Sequence, residues 1–211
     1  MQTIDLQTMS NKLTFLSSTE ASQKLKLGEE QLVQNIIHEN LEYGAPPAPR
    51  KAMTMTQVGT IGEMTVAAQL MLGSGGRFSP FLPFADDDGI DLIVYDKVTG
   101  TSLPVQVKAR TSAKLGKSDT ILFDVRRKTF SEHPGSFLLA ILLDLDKGKI
   151  DRAWLIPMVE LSGLARVKPD TLSITPSAKE SSNDRYSPYR CTDMAEVARR
   201  LATHLDTRKG S

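Results

Sequence analysis

The chain has 211 residues, of which 40% are hydrophobic and 24% are charged, and its formal net charge is +1. These values are typical of one globular domain, or of one domain with a small appendage. No run approaches the ~18 apolar residues of a membrane helix, and the N-terminus lacks the basic and apolar regions of a secretory signal. The single cysteine, Cys191, excludes an internal disulfide and a cysteine-based zinc site. We therefore expect a cytoplasmic protein without a membrane contact.

The first predicted element is a helical segment at residues 17–43, which has an apolar stripe and a Ser/Thr start. The proline-rich stretch GAPPAPRKA at 44–52 follows it and cannot lie inside a helix. We therefore predict an N-terminal helical appendage and linker at residues 1–50 and a main domain at 53–206.

Part of the helical segment, STEASQKLKLGEEQLVQNII, resembles a helix-turn-helix of the excisionase type. Lys26 stands where that motif favours a small turn residue, and Glu29 and Glu30 would repel phosphate. The alternative is a helical pair that packs on the main domain or mediates dimerisation. The residues leave both interpretations open.

The main domain combines two helical patterns with several strand patterns. Residues 57–72 and 192–206 predict helices, and the second has a clear apolar stripe. We expect a mixed central sheet in an α/β arrangement, with the first helix on one side and the closing helix on another. Six apolar runs bounded by turn residues predict its strands: RFSPFLPF, DLIVYD, SLPVQVKA, TILFDVRR, SFLLAILLDL and RAWLIPM.

Polar side chains interrupt two of these strands, which otherwise have the pattern of core strands. Alternate residues of a strand share a face, so Gln106 and Lys108 point one way while Val105 and Val107 point the other way into a core. Asp91 begins the preceding strand. If the two strands pair as a hairpin, Asp91 comes near Gln106 and Lys108.

A fourth polar residue, Glu63, lies in the first helix of the main domain. Val66 and Leu70 follow it at helical spacing, so Glu63 lies on or beside the face expected to pack on the sheet. A carboxylate there is costly unless it is paired or binds a cation. Two carboxylates, an amide oxygen and a lysine suit a Mg²⁺ or Mn²⁺ site for phosphodiester hydrolysis. Gly59 and Gly62 would let this helix approach the sheet closely.

The order and spacing of these residues resemble the PD-(D/E)XK nuclease superfamily, which includes restriction endonucleases and archaeal Holliday-junction resolvases. The resemblance runs from GTIGEMTVAAQLMLG through DDDGIDLIVYD to VQVKAR. It implies a restriction-endonuclease-like αβββαβ core and a DNA endonuclease that depends on Mg²⁺ or Mn²⁺. It also implies that Asp91, Gln106, Glu63 and the Val107 carbonyl hold the metal, and that Lys108 is the catalytic lysine beside Glu63, Asp91 and Gln106.

Gln106 departs from the family pattern, in which Asp or Glu is more usual at this position. Glutamine still offers a carbonyl oxygen, but the site loses one negative charge, so its metal affinity should fall. This QxK form resembles the variant of modification-dependent, Mrr-like restriction enzymes. The glutamine therefore does not imply an inactive protein.

Charge is distributed unevenly around this constellation. Residues 86–96 carry five acidic residues, whereas residues 97–128 carry eight basic residues and two acidic ones. An acidic metal site beside a basic stretch suits a polyanion, with DNA as the expected partner. RNA stays open as a substrate, and the resemblance leaves a homodimer open. The residues predicted to contact nucleic acid are Arg110, Lys114, Lys117, Arg126, Arg127 and Lys128.

Two other functions compete with that of a nuclease. The charge lost at Gln106 favours a weakened nuclease-fold module that binds DNA without cutting it, whereas the retained Lys108 argues against this. The other rival is a subunit that assembles into a larger complex through its N-terminal helices. His133, within SEHPG, is interpreted as a turn residue without a catalytic role.

Overall fold

A computed structural model of the chain describes residues 53–84, 89–112, 119–130 and 132–208. The predicted appendage at 1–50, with its helix-turn-helix interpretation, lies outside these ranges, as do Lys114 and Lys117. The elements in chain order are α1 Met55–Gly73, β1 Phe78–Phe81, β2 Leu92–Asp96, β3 Thr101–Thr111, β4 Phe123–Arg126, β5 Phe137–Asp144, β6 Lys149–Pro157, α2 Met158–Leu164, β7 Arg166–Val167, β8 Thr171–Ile174, β9 Arg190–Cys191 and α3 Met194–Arg208, with 3₁₀ helices at Arg127–Thr129 and Ser187–Tyr189.

Six strands form one mixed sheet in the order β1-β2-β3-β5-β6-β9. The strands β1, β2 and β3 pair as antiparallel neighbours, β3 and β5 pair in parallel, and β5, β6 and β9 are again antiparallel. The strands β4, β8 and β7 form a separate three-stranded sheet. The predicted α/β class and the mixed central sheet are confirmed, and each of the six predicted strands is present.

Both faces of the six-stranded sheet are covered at β5, which is buried along its whole length. On the first face, Val105 and Val107 of β3 pack in one cluster with Leu70 of α1 and Leu201 of α3. On the second face, Leu138, Ala140, Leu142, Trp154 and Ile156 of the sheet pack with Phe123, Val125, Leu172 and Ile174 of the three-stranded sheet. We call these two sides the first face and the second face below.

The prediction that the two long helices lie on different sides of the sheet is wrong, because α1 and α3 share the first face. An apolar stripe shows that a helix packs against a core, but it does not say on which face of the sheet. The second face is covered by β strands instead. The described part of the crossover between the parallel strands β3 and β5 carries β4 and a 3₁₀ helix.

The helix α1 is fixed at its start and in its middle. It begins with a capping box, in which Thr54 Oγ1 accepts the Gln57 N–H and the Gln57 side chain accepts the Thr54 N–H. A Cβ at Gly62 would lie 2.7 Å from the Ala109 Cβ, so glycine lets α1 pack directly on β3. At Gly59 a Cβ would meet nothing within 4 Å, so its predicted role in close approach is wrong.

A cluster of charged side chains ties the end of β2 to α3. Arg77 donates to both carboxylate oxygens of Asp96, at 2.8 and 2.7 Å, and also to Asp206 of α3. Asp96 further accepts the Val98 N–H and the Thr99 hydroxyl. The hydrogen bonds from Arg77 hold the pKa of Asp96 well below its usual range.

The only cysteine of the chain, Cys191, lies in β9 and belongs to the core of the first face. It is 1% exposed, and burial raises the pKa of its thiol to about 11. No helix within the described ranges is long and apolar enough to cross a membrane.

Candidate active site

Asp91 lies immediately before β2, where the β2–β3 ladder ends at the pair Leu92 and Val105. Its main-chain N–H donates to the Val105 carbonyl at 3.1 Å, and its Oδ2 accepts the Val107 N–H at 2.6 Å. The carboxylate thus takes the place of a strand carbonyl at the end of the ladder. The predicted hairpin is present, because β2 and β3 pair as antiparallel neighbours.

Lys108 lies close to this carboxylate. Its Nζ is 3.6 Å from Asp91 Oδ2, and the lysine side chain is 30% exposed while that of Asp91 is 8% exposed. The pair is therefore open to a ligand from the side of the lysine. In the parallel ladder Lys108 is opposite Ala140, so its side chain belongs to the second face of the sheet.

Gln106 shares this face with Lys108, as predicted, since it is opposite Leu138 in the same ladder. It is only 3% exposed, and its Oε1 is buried with no hydrogen-bond partner in the part of the chain that the structure describes. Leaving a buried acceptor unsatisfied costs about 1–3 kcal/mol. Such a cost is tolerated at sites where a ligand or ion supplies the missing partner.

Gly89, of the sequence GID, is required by both its conformation and its surroundings. Its φ is +66°, which favours glycine. A Cβ there would lie 2.7 Å from Gln106 Nε2 and 3.0 Å from the main-chain oxygen of Thr129. The turn before Asp91 therefore packs directly against Gln106 and the crossover.

Glu63 lies on α1 and is half-buried, immediately after the glycine that contacts β3. The helix packs on the first face, whereas Gln106 and Lys108 belong to the second. The role of Glu63 as a metal ligand, like that of the Val107 carbonyl, stays a prediction.

The donor chemistry of the site fits a hard divalent cation. Asp91 supplies a carboxylate, and Gln106 supplies a buried oxygen that lacks a partner. Among the described residues, no group of three or more His, Cys, Asp or Glu side chains is arranged to hold a metal ion. This is compatible with Mg²⁺, which commonly takes one or two carboxylates and completes its shell with waters and substrate phosphate.

The predicted basic contacts divide into two groups. Arg110 donates to the Leu122 carbonyl at 2.9 Å and so helps to hold the crossover against β3. Arg126, Arg127 and Lys128 are exposed at the end of β4 and in the 3₁₀ helix, where they line a shallow depression with residues 169–171. This second group is available to a polyanion.

A cavity of about 520 Å³ lies beside Gln106, and we call it the Gln106 cavity. The sequence did not predict it, because its walls come from four separate parts of the chain. His133 lies in a turn, as predicted, because its carbonyl accepts the Ser136 N–H. It also lines this cavity. The lining residues are Gly89, Ile90, Pro104, Gln106, Lys128, Thr129, Phe130, His133, Ser136 and Met158.

Comparisons with known proteins agree with this architecture. No protein-family model matches the sequence, and no curated protein sequence matches it. Among solved structures, the chain is similar to a bacterial homing endonuclease, I-Ssp6803I, with 20% identity and a TM-score of 0.50 over 75% of this chain and 99% of the other. It also matches Hjc, a Holliday junction resolvase of Archaeoglobus fulgidus, with 15% identity and a TM-score of 0.36 over 63% of this chain and 96% of the other. The six-stranded mixed sheet and the likeness to the homing endonuclease give the chain a restriction-endonuclease-like fold.

Proposed function

We propose that the chain is a metal-dependent endonuclease that hydrolyses phosphodiester bonds of DNA. The observation that carries the proposal is the pair of Asp91 and Lys108 at the end of one hairpin of a nuclease fold, with Gln106 on the same strand face as Lys108 and its buried oxygen without a hydrogen-bond partner among the described residues. A buried core position has no need of an acid, an amide and a lysine together. Phosphodiester hydrolysis uses oxygen ligands that hold a metal ion and a cation that offsets negative charge on the phosphate.

The proposed ligands of a Mg²⁺ or Mn²⁺ ion are the Asp91 carboxylate, Gln106 Oε1, the Val107 carbonyl and Glu63, of which Glu63 would have to reach the ion from the helix on the first face. A bound ion would lower the pKa of a water and offset negative charge on the phosphate. Asp91 is held for this task, because the Val107 N–H fixes its Oδ2. Gln106 is held by close packing against Gly89.

Lys108 is the proposed catalytic lysine. Its ammonium group lies 3.6 Å from Asp91 Oδ2 and is partly exposed on the second face. From there it can donate to the attacking water or to a phosphate oxygen, where negative charge grows in the transition state. The contact with Asp91 holds the ammonium group in this position before the substrate arrives.

The proposed DNA contacts are Arg126, Arg127 and Lys128, together with Arg110 near the end of β3 and with Lys114 and Lys117, which follow it in the sequence. Contacts of this kind neutralise phosphates and position the duplex without reading its sequence. The domain division is part of the same proposal: residues 53–206 form the nuclease domain, and residues 1–50 form an appendage.

A second candidate is a nuclease-fold subunit that binds DNA or assembles into a complex without cutting. It is favoured by Gln106, which supplies no charge where a carboxylate would, and by the small number of acidic side chains grouped in the described ranges. It predicts DNA binding that does not depend on Lys108.

The deciding experiment is cleavage of supercoiled plasmid with Mg²⁺ or Mn²⁺. Lys108→Ala removes the proposed catalytic amine, and Asp91→Asn removes charge while it keeps an oxygen to accept the Val107 N–H. We expect each change to lower the cleavage rate by about a hundredfold or more. Lys149→Ala is the matched control, because Lys149 is exposed on β6 and pairs only with a local acid, Asp151.

Three outcomes separate the candidates. Cleavage by the wild type and the control, lost in both site variants, supports the endonuclease. A folded wild type that binds the plasmid but leaves it intact with either metal supports the binding subunit. Cleavage that survives both substitutions would place the chemistry elsewhere and contradict the proposal.

A further inference from the structure

We propose that the Gln106 cavity receives one unpaired nucleobase of the DNA, next to the phosphate that is cleaved. The inference rests on the proposed function and adds a substrate class to it, namely DNA with an unpaired nucleotide at the cleavage point. A base within an intact duplex is stacked and paired, and it must leave the stack before it can enter a pocket.

The cavity has the size and the walls of a site for a small planar group. Its volume of about 520 Å³ lies within the usual range for ligand pockets. Ile90, Pro104, Phe130 and Met158 provide apolar wall. Phe130 is half-buried against the core of the second face, so its ring is held in place while part of it remains free for a ligand.

The polar groups of the cavity suit the edge of a base. Thr129, His133 and Ser136 line it together with Gln106. The His133 carbonyl accepts both the Ser136 N–H at 3.1 Å and the Ser136 hydroxyl at 2.7 Å, which fixes the turn that carries these side chains. A few placed polar groups among apolar walls are the usual means by which a pocket orients its ligand.

The position of the cavity links it to the proposed site of hydrolysis at one end and to the basic surface at the other. Gln106 lines the cavity and lies two residues from Lys108 on the same face of β3. Lys128 lines both the cavity and the depression formed with Arg126 and Arg127. A nucleotide whose base fills the cavity can therefore have one phosphate near Lys128 and the other near Lys108.

The test compares DNA duplexes that differ in one nucleotide. One duplex is fully paired, and the other carries a single unpaired adenine or its fluorescent analogue 2-aminopurine at the same point. We expect the wild type to cleave the second duplex at least about tenfold faster, since one base–aromatic stacking contact is worth a factor of that order. Emission from the unpaired 2-aminopurine should change on binding to Lys108→Ala, which leaves the DNA intact.

Two variants change the cavity in different ways, and their thermal unfolding is compared with that of the wild type to select folded protein. Phe130→Leu keeps an apolar side chain but removes the ring, and Ile90→Trp fills the cavity from a half-exposed position. Both should abolish the emission change and most of the preference for the unpaired duplex. Phe84→Leu is the matched control, because Phe84 is fully exposed and does not line the cavity.

The outcomes distinguish this inference from the proposed function. Equal cleavage of both duplexes, or a preference that survives both cavity variants, would overturn the nucleobase pocket and leave the endonuclease in place. A folded wild type that cleaves neither duplex would overturn both. A preference lost in the two cavity variants and kept in the control supports the pocket.

Discussion

Gly89 and Gln106 show how single residues shape the candidate site. The left-handed turn at Gly89 brings the main chain against the Gln106 amide, and there is no room for a Cβ between them. Gln106 in turn keeps a buried oxygen without a hydrogen bond. The left-handed turn and the buried amide oxygen both cost stability rather than add to it. Such costs are typical of sites that bind a ligand, so we interpret both features as parts of a ligand site.

The first prediction concerns Gly89→Ala. The added Cβ is strained by the positive φ and also collides with Gln106, so we expect a loss of about 2–4 kcal/mol in the free energy of unfolding, together with loss of cleavage. Gly100→Ala is the control, because Gly100 has a φ of +72° but open space around its Cβ. Urea unfolding of both variants separates strain from collision, and equal losses would contradict the tight packing at Gly89.

The second prediction concerns Gln106→Glu. A carboxylate at this position adds a negative charge to the ligand set, so the Mn²⁺ concentration that half-saturates the protein should fall by about tenfold. Without metal the buried charge should lower the melting temperature, and Mn²⁺ should restore it. Calorimetric titration and thermal unfolding measure the two effects, and Gln69→Glu, on half-exposed α1 surface, is the control.

A melting temperature that responds to Mn²⁺ equally in Gln106→Glu, Gln69→Glu and the wild type would show that Gln106 is not beside the ion. The metal would then have to be held by other residues.

At the scale of elements, the hairpin β2–β3 carries the site and is itself anchored at both ends. Asp91 closes one end through the Val107 N–H. Asp96 closes the other end through Arg77, which also reaches Asp206 on α3. The Arg77 cluster fixes the hairpin to α3 on the first face, while the site at the Asp91 end opens on the second face.

The third prediction concerns acid stability. The pKa of Asp96 is lowered in the folded state by the hydrogen bonds from Arg77, and that of Glu196 is lowered to about 2, chiefly by the Thr192 N–H. The unfolded chain therefore binds more protons than the folded chain below about pH 4.5, and stability should fall as the pH decreases through that range.

Asp96→Asn tests this relation. It should lower the free energy of unfolding by roughly 2 kcal/mol near pH 7, because hydrogen bonds to a charged partner are weakened. The difference from the wild type should shrink as the pH falls below about 4, because the unfolded wild-type chain then gains a proton at Asp96 that the folded chain, with its lowered pKa, does not take up. Urea unfolding across the range measures it, with the exposed Asp146→Asn as control, and a constant difference at every pH would contradict the assignment.

At the scale of the whole molecule, much of the fold could be predicted because its strands have strong local patterns. The hairpin was predictable from two apolar runs and a short turn, and with it the approach of Lys108 to Asp91. The strands β7, β8 and β9 were not predicted, because runs of two to four residues give little or no alternation to recognise. The face chosen by α3 and the walls of the Gln106 cavity depend on contacts between distant segments, which periodicity does not encode.

The fourth prediction concerns the basic surface. If Arg126 and Lys128 contact phosphates, the double change Arg126→Gln and Lys128→Gln should make DNA binding less dependent on salt. The slope of the logarithm of the binding constant against the logarithm of the salt concentration should decrease by the amount expected for about two phosphate contacts. Fluorescence anisotropy over about 0.05–0.3 M salt measures the slope. Arg199→Gln, on an exposed part of α3, should leave it unchanged. An unchanged slope in the double variant would place the DNA elsewhere.

The buried state of Cys191 has a practical consequence for such experiments. The only thiol of the chain is 1% exposed and stays protonated near neutral pH, so maleimide reagents should not react with it in the folded protein. A cysteine introduced at an exposed position would then be labelled alone, without first removing a native one. Pairs of dyes on the protein and on a DNA end could report directly on how the substrate lies across the second face.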